Sequence, residues 1–167
     1  MTSVTLTPIG RDDFDRVAGI HVTPEQERFS GTVAEAFASG ETGIDFHAIL
    51  QDGRAVGFFK IDRNYAQRHD SPEQDELSLR AFMIDRDMQG RGIATAAVVA
   101  LSPYLARHYP GKESAVLTVN VANPAAIRCY LKGGFHDTGA VYPHGDAGPQ
   151  HILRLILRMD CTRTEAG

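Results

Sequence analysis

The chain has 167 residues, of which 43% are hydrophobic and 23% charged, with a formal net charge of −4 at pH 7. That length holds one good hydrophobic core and is short for two, and the composition excludes a disordered chain, a collagen-like repeat and a disulfide scaffold. The Lys and Arg residues are scattered and the balance is acidic, so no basic field exists to hold a phosphate backbone and nucleic acid is not expected as a partner.

The opening "MTSVTLTPIG" lacks the charged-then-apolar plan of a signal peptide, and no apolar run reaches membrane-spanning length. A cytoplasmic protein without a membrane partner is expected. Val4 to Ile9 reads as a first strand by its β-branched alternation, and Phe14, Val17 and Ile20 follow at helical spacing. Thr23-Pro24-Glu25-Gln26 offers a capping hydroxyl, proline at the first helical position and Gln three residues after the cap, which predicts a helix from Pro24 toward Ser39 with a break at Gly31.

"FHAIL" and "AVGFFKI" flank "QDGR", and Asp-Gly between two β-rich runs predicts an antiparallel hairpin. The polar stretch after it reads as a loop, and Glu76 to Ile84 returns as a strand. From Ile93 to about Tyr109 the pattern is helical with Pro103 inside it, which predicts a kink or break near Leu101. "ESAVLTVNV" is a buried strand, Asn123-Pro124 starts a helix that Gly133-Gly134 closes, and "FHDTGAVY" with "HILRLIL" forms a last hairpin. The element order β-α-α-β-β-β-α-β-α-β-β is that of a mixed α/β domain with one central sheet. It names no function.

Chemistry enters at Asp85 to Val98, "DRDMQGRGIATAAV", where a strand ends, two glycines flank Arg91 and a helix begins. Backbone N–H groups of such a turn and the positive end of the helix dipole make an anion site, and small residues keep it open. No Gly-Lys-Ser/Thr follows, so this is not a Walker loop, and the three-glycine Rossmann spacing is absent.

Gln89-Gly90-Arg91-Gly92-Ile93-Ala94 resembles the Gln/Arg-x-x-Gly-x-Gly/Ala signature of the GNAT superfamily of acetyl-CoA-dependent N-acetyltransferases. "NVANPAAIRCYLKGGF", Asn120 to Phe135, is similar to that superfamily's next block. The resemblance covers Leu77 to Leu157 and implies an α/β GNAT fold, a mixed central sheet of about seven strands flanked by about four helices in one domain. It implies acetyl-CoA as co-substrate, with the backbone amides of Arg91, Gly92, Ile93, Ala94 and Thr95 on the pyrophosphate and Gln89 shaping the turn at Gly90. Phe82, Met83 and Ile84 would pair with the pantetheine arm, Asn123 would hydrogen-bond it, and Tyr130 would serve as general acid near the thioester sulfur. Asn123 also reads as a plain helix cap, and Arg128 as either a phosphate contact or a solvated helix residue.

Acetyl transfer needs a neutral amine, and an alkyl amine is only about one part in 10³ neutral at pH 7. Where family members often carry a strand-four glutamate, this chain has Ser78 and Arg80, which leaves Glu76 as the expected base, directly or through water. Asp75, Glu27 and Asp85 are weaker candidates. "HVTPEQERFSGTVAEAF" is similar to the first helical segment of bacterial diamine and polyamine acetyltransferases, and Glu25, Glu27 and Glu35 on it suit a cationic amine, whereas Arg80 does not. The expected acceptor is a small primary amine such as a polyamine; a silent acyl-CoA-binding module and a peptide N-acetyltransferase stay open, as does a homodimer. Cys129 and Cys161 are expected reduced, Cys129 as a core residue, and the spacing of His136, His144, Asp146 and His151 fits no metal site.

Overall fold

The computed structural model describes residues 3–65, 76–142 and 148–159. Asp75, His144, Asp146 and Cys161 lie outside the described residues. Seven strands are described: β1 (Thr5–Ile9), β2 (Ile44–Gln51), β3 (Arg54–Asp62), β4 (Glu76–Ile84), β5 (Ser114–Asn120), β6 (His136–Tyr142) and β7 (Gln150–Ile156). The α-helices are α1 (Phe14–Val17), α2 (Pro24–Ser30), α3 (Val33–Ala38), α4 (Ile93–His108) and α5 (Pro124–Lys132). They flank a single sheet of order β1-β2-β3-β4-β5-β7-β6, in which β4 and β5 run parallel and the other neighbours antiparallel.

Each face of the sheet buries its own cluster. Ile93, Ala97, Leu101 and Leu105 recur at helical spacing along α4 and pack with Ile61, Leu77 and Leu117; residues of α5 lie against the same cluster. On the opposite face Val17, Val33 and Ala36 pack with Phe46, Phe58 and Met83. The Asp52-Gly53 turn of the β2–β3 hairpin has φ of 52° and 79°, the two positive values that match the twist of an antiparallel pair.

The helix expected from Pro24 divides at Gly31, where φ is +72°. A second capping box, Thr32 with Glu35, then starts α3. At Pro103 the expectation of a break fails: α4 is continuous from Ile93 to His108. The lost N–H bond falls on the carbonyl of Val99, a residue 58% exposed, where water replaces the partner. Among the described residues no helix is long and apolar enough to cross a membrane, and no three His, Cys, Asp or Glu side chains group to hold a metal ion.

A polar chain crosses the α4 side of the sheet. Tyr109 Oη donates to Asp45 Oδ2 at 2.7 Å, so it accepts from His47 Nε2 at 3.0 Å, and His47 Nδ1 is left to accept from Tyr104 Oη at 2.6 Å. His47 is therefore the neutral Nε2–H tautomer. Burial pushes its pKa from the ordinary 6.5 down to about 4, against a smaller opposing effect of Asp45. The unfolded chain binds this proton first as pH falls, so the contribution is complete above pH 6.5 and lost as pH drops through about 4. Urea unfolding across that window is expected to show a loss of about 3 kcal/mol, absent from His47→Asn.

Candidate active site

The site originates in a parting of two strands. β4 pairs with β5 only over Glu76–Ser78 against Ser114–Val116. Beyond that, Ala81 adopts φ +56°, and one residue of β3, Phe59, faces two of β4, because Lys60 pairs with Arg80 while Phe58 pairs with Met83. A left-handed alanine costs about 1–2 kcal/mol, and the bulge inverts the strand's alternation. Leu77 and Leu79 before it, and Phe82 and Ile84 after it, reach the α4–α5 side. The result is a cleft of about 460 Å³ bordered by Leu79–Ile84 of β4 and Leu117–Asn120 of β5. The outer edges stay in the sheet through Gly57–Ile84 and Asn120–Gln150, so the inner edge of β4 is open to an extended ligand.

A short 3-10 turn, Arg86–Met88, leads from β4 to Gln89. The Gln89 amide donates to the Ile84 carbonyl and to Gln26 Oε1, both at 2.9 Å, and accepts from Gln26 Nε2 at 3.1 Å. It thereby fastens the turn to the end of β4 and to α2. Gly90 and Gly92 have φ of +78° and +80°, and a Cβ at Gly90 would meet nothing within 4 Å. Thr23, Thr32 and Asn123 cap α2, α3 and α5, whereas no side chain caps α4 and its first turn carries no acid. The first N–H groups of α4, at Ile93, Ala94 and Thr95, are thus left for an anion or water. Arg91 and Gly92 are exposed, the Ile93 side chain is buried in the core, and Ala94 lines the cleft.

The other wall comes from α5. Asn123 lines the cleft and caps the helix, its Oδ1 accepting from the Ala126 N–H at 3.4 Å. Nearly two turns later Cys129 and Tyr130 line it too. The Tyr130 ring meets Phe82 and Phe135 edge-on, with centroids 5.8 and 5.6 Å away. Burial, then Cys129, pushes its phenol above the ordinary value of 10, so it is a proton donor at neutral pH. Burial likewise raises the Cys129 thiol, whose Sγ lies 3.7 Å from Thr95 Oγ1. Arg128 is exposed and outside the cleft lining.

The carboxylates expected to act on the acceptor sit elsewhere. Glu76 is 1% exposed and accepts from both Arg154 Nε and Nη2 and from Ser114 Oγ, at the seam where β4 and β5 still pair. The parallel neighbour brings Ser114 opposite it, and β7 brings Arg154, so burial and pairing take this group out of the cleft. Glu35 closes the α3 capping box, Glu25 and Glu27 are exposed outside the cleft lining, and Asp85 accepts from the His21 N–H. Sequence reasoning missed Gln26 and Lys60, both in the cleft wall. A charged residue inside "AVGFFKI" was the available signal for the latter.

Residues 13–135 match the model of the acetyltransferase (GNAT) family. The chain belongs to the GNAT family. As a member it is an N-acetyltransferase that takes its acetyl group from acetyl-CoA. It is 28% identical over 141 residues to the "uncharacterized N-acetyltransferase YbbJ" of Bacillus subtilis, covering 81% of this chain and 86% of that one. Among solved structures, AAC(6')-Ib in complex with paromomycin and acetyl-CoA shares the fold, with a TM-score of 0.75 at 17% identity over 92% of this chain and 93% of that one. A chimera of spermidine N-acetyltransferase SpeG from Vibrio cholerae and hSSAT gives 0.69 at 15% identity over 93% and 96%. The uncapped start of α4, the open Gly90 and the free edge of β4 fit the pyrophosphate and amide arm of a CoA thioester.

Proposed function

We propose that this GNAT domain transfers the acetyl group directly to the primary amine of a small molecule, with no covalent intermediate on the protein. The observation that carries the reading is one continuous cleft, running from Gln89 and Ala94 at the start of α4, past Tyr130, to Lys60 and Arg80 on the far side. In it, the amides of Arg91 to Thr95 bind pyrophosphate, the edge of β4 at Phe82 to Ile84 and the Asn123 amide align the pantetheine arm, and Gln89 holds the turn in shape. Arg128 stands outside, where only a solvent-side phosphate could meet it. Acetyl-CoA, when bound, supplies the activated acyl group.

Tyr130 protonates the departing thiolate. Its hydroxyl has no hydrogen-bond partner among the described residues, which leaves its proton for the sulfur. Tyr130→Phe is expected to lower kcat about 10- to 100-fold with KM for acetyl-CoA changed less than about threefold, measured by thiol release. No carboxylate or histidine among the described residues lines the cleft, so the amine's proton passes to water. Cys129 is no nucleophile, because burial holds it as a thiol. A polyamine gains little support from two cations at the acceptor end.

Calorimetry with acetyl-CoA, together with thiol release across diamines, polyamines, amino acids and short peptides, tests the reading. Binding with turnover of a free amine is the expected result. Turnover confined to peptides replaces the small molecule by a protein acceptor, and absence of binding overturns the site.

A further inference from the structure

The acceptor end of the cleft holds an arrangement that folding alone does not favour. Lys60 on β3 and Arg80 on β4 are direct partners in register, and both line the cleft. Like charges opposite each other on paired strands repel, and a buried ammonium is costly unless an anion meets it. Lys60 is nonetheless only 9% exposed, preceded in the strand by the apolar run Ala55 to Phe59 and followed by Ile61.

The nearby anions among the described residues are few. Glu41, in the loop between α3 and β2, accepts from Arg80 Nη1 at 3.1 Å and lies 3.7 Å from Lys60 Nζ, beyond a good hydrogen bond. Asp62 is 3.9 Å from the same Arg80 nitrogen and already accepts from the Asn64 N–H. Only Nη1 of the Arg80 fork has a partner among the described residues, which leaves donors for a planar anion. Burial, and then the charge of Arg80, push the Lys60 ammonium below the ordinary lysine value, against a smaller opposing effect of Glu41.

Building on the acetyl-transfer reading above, we propose that the acceptor is an amino-acid-type molecule, whose carboxylate is held by Lys60 and Arg80 while its primary amine is acetylated. Arg80 and Phe82, two residues apart on β4, line the same cleft, so one small molecule can present its carboxylate to the first and its amine near the second. A diamine or polyamine brings only positive charge to this pair of cations.

The test uses matched acceptors that differ by one carboxylate: lysine with cadaverine, ornithine with putrescine, phenylalanine with phenethylamine. Thiol release by the full chain with saturating acetyl-CoA is expected to give the amino acid a kcat/KM at least about tenfold above its partner. In Arg80→Gln and in Lys60→Met, each checked for folding by retained acetyl-CoA binding, that ratio is expected to fall toward one, through KM of the amino acid. Equal or better use of the decarboxylated amines overturns the inference and leaves acetyl transfer standing, as does a ratio unchanged in both variants. Acetyl-CoA binding with turnover of none of the six overturns this inference, while turnover of another small primary amine in the same assay leaves the acetyl-transfer reading standing.

Discussion

Replacing Gly92 by valine is expected to raise the Kd for acetyl-CoA at least about 100-fold, a loss of about 2.7 kcal/mol, while the chain still folds. Gly92 is the residue from which α4 departs, at φ +80° and with no side-chain cap. A β-branched residue there strains the backbone by about 1–2 kcal/mol and crowds the N–H groups at the start of the helix. For a chain of this size that strain lowers Tm by roughly 5 °C, which leaves a folded population to titrate. Gly92→Ala, with the same φ and less bulk, is expected between the two. A folded valine variant with unchanged affinity in calorimetry would remove the pyrophosphate from this loop.

Glu76→Gln is expected to cost about 3 kcal/mol of stability and to leave kcat nearly as it was, measured by urea unfolding and by thiol release below the transition. The carboxylate is buried and its oxygens accept from Arg154 and Ser114, so the amide removes the charge that meets the guanidinium at this position. Replacing both partners by apolar residues, Glu76→Leu with Arg154→Met, is expected to recover most of the loss, because a buried pair contributes little beyond its own desolvation. A general base would give the opposite pattern. Stability would hold and kcat would collapse, and that result would return Glu76 to the chemistry.

The fold was readable because its local signals agree with one another. Thr23-Pro24 and Asn123-Pro124 mark helix starts, Asp52-Gly53 a hairpin, and the apolar positions of α4 follow a single face. The glycine turn before α4 was readable for the same reason: Gly90 and Gly92 do what only glycine does easily. What escaped was set by tertiary contacts. Nothing local in "ELSLRAFMI" announces that Ala81 turns left-handed and inverts the strand's alternation. Glu76 looked available at a strand start because its partner Arg154 comes from a strand nearly eighty residues later. Of the kink or break expected at Pro103 the break did not occur, because the helix is held by its packed face and the residue whose carbonyl loses its partner, Val99, lies on the exposed side.

The parting of β4 from β5 also shapes how the molecule can move. Among the described residues the β1–β4 half of the sheet pairs with the β5–β7 half only at Glu76, Leu77 and Ser78, and α4 packs across both. Beyond that short ladder no strand pairing holds the two banks together out to Ile84 and Asn120. A long thin ligand lying in that gap, bonded to one bank and packed on the other, bridges the halves where strand pairing does not. Occupancy is therefore expected to slow amide hydrogen exchange in both halves of the sheet, including strands that no ligand atom touches.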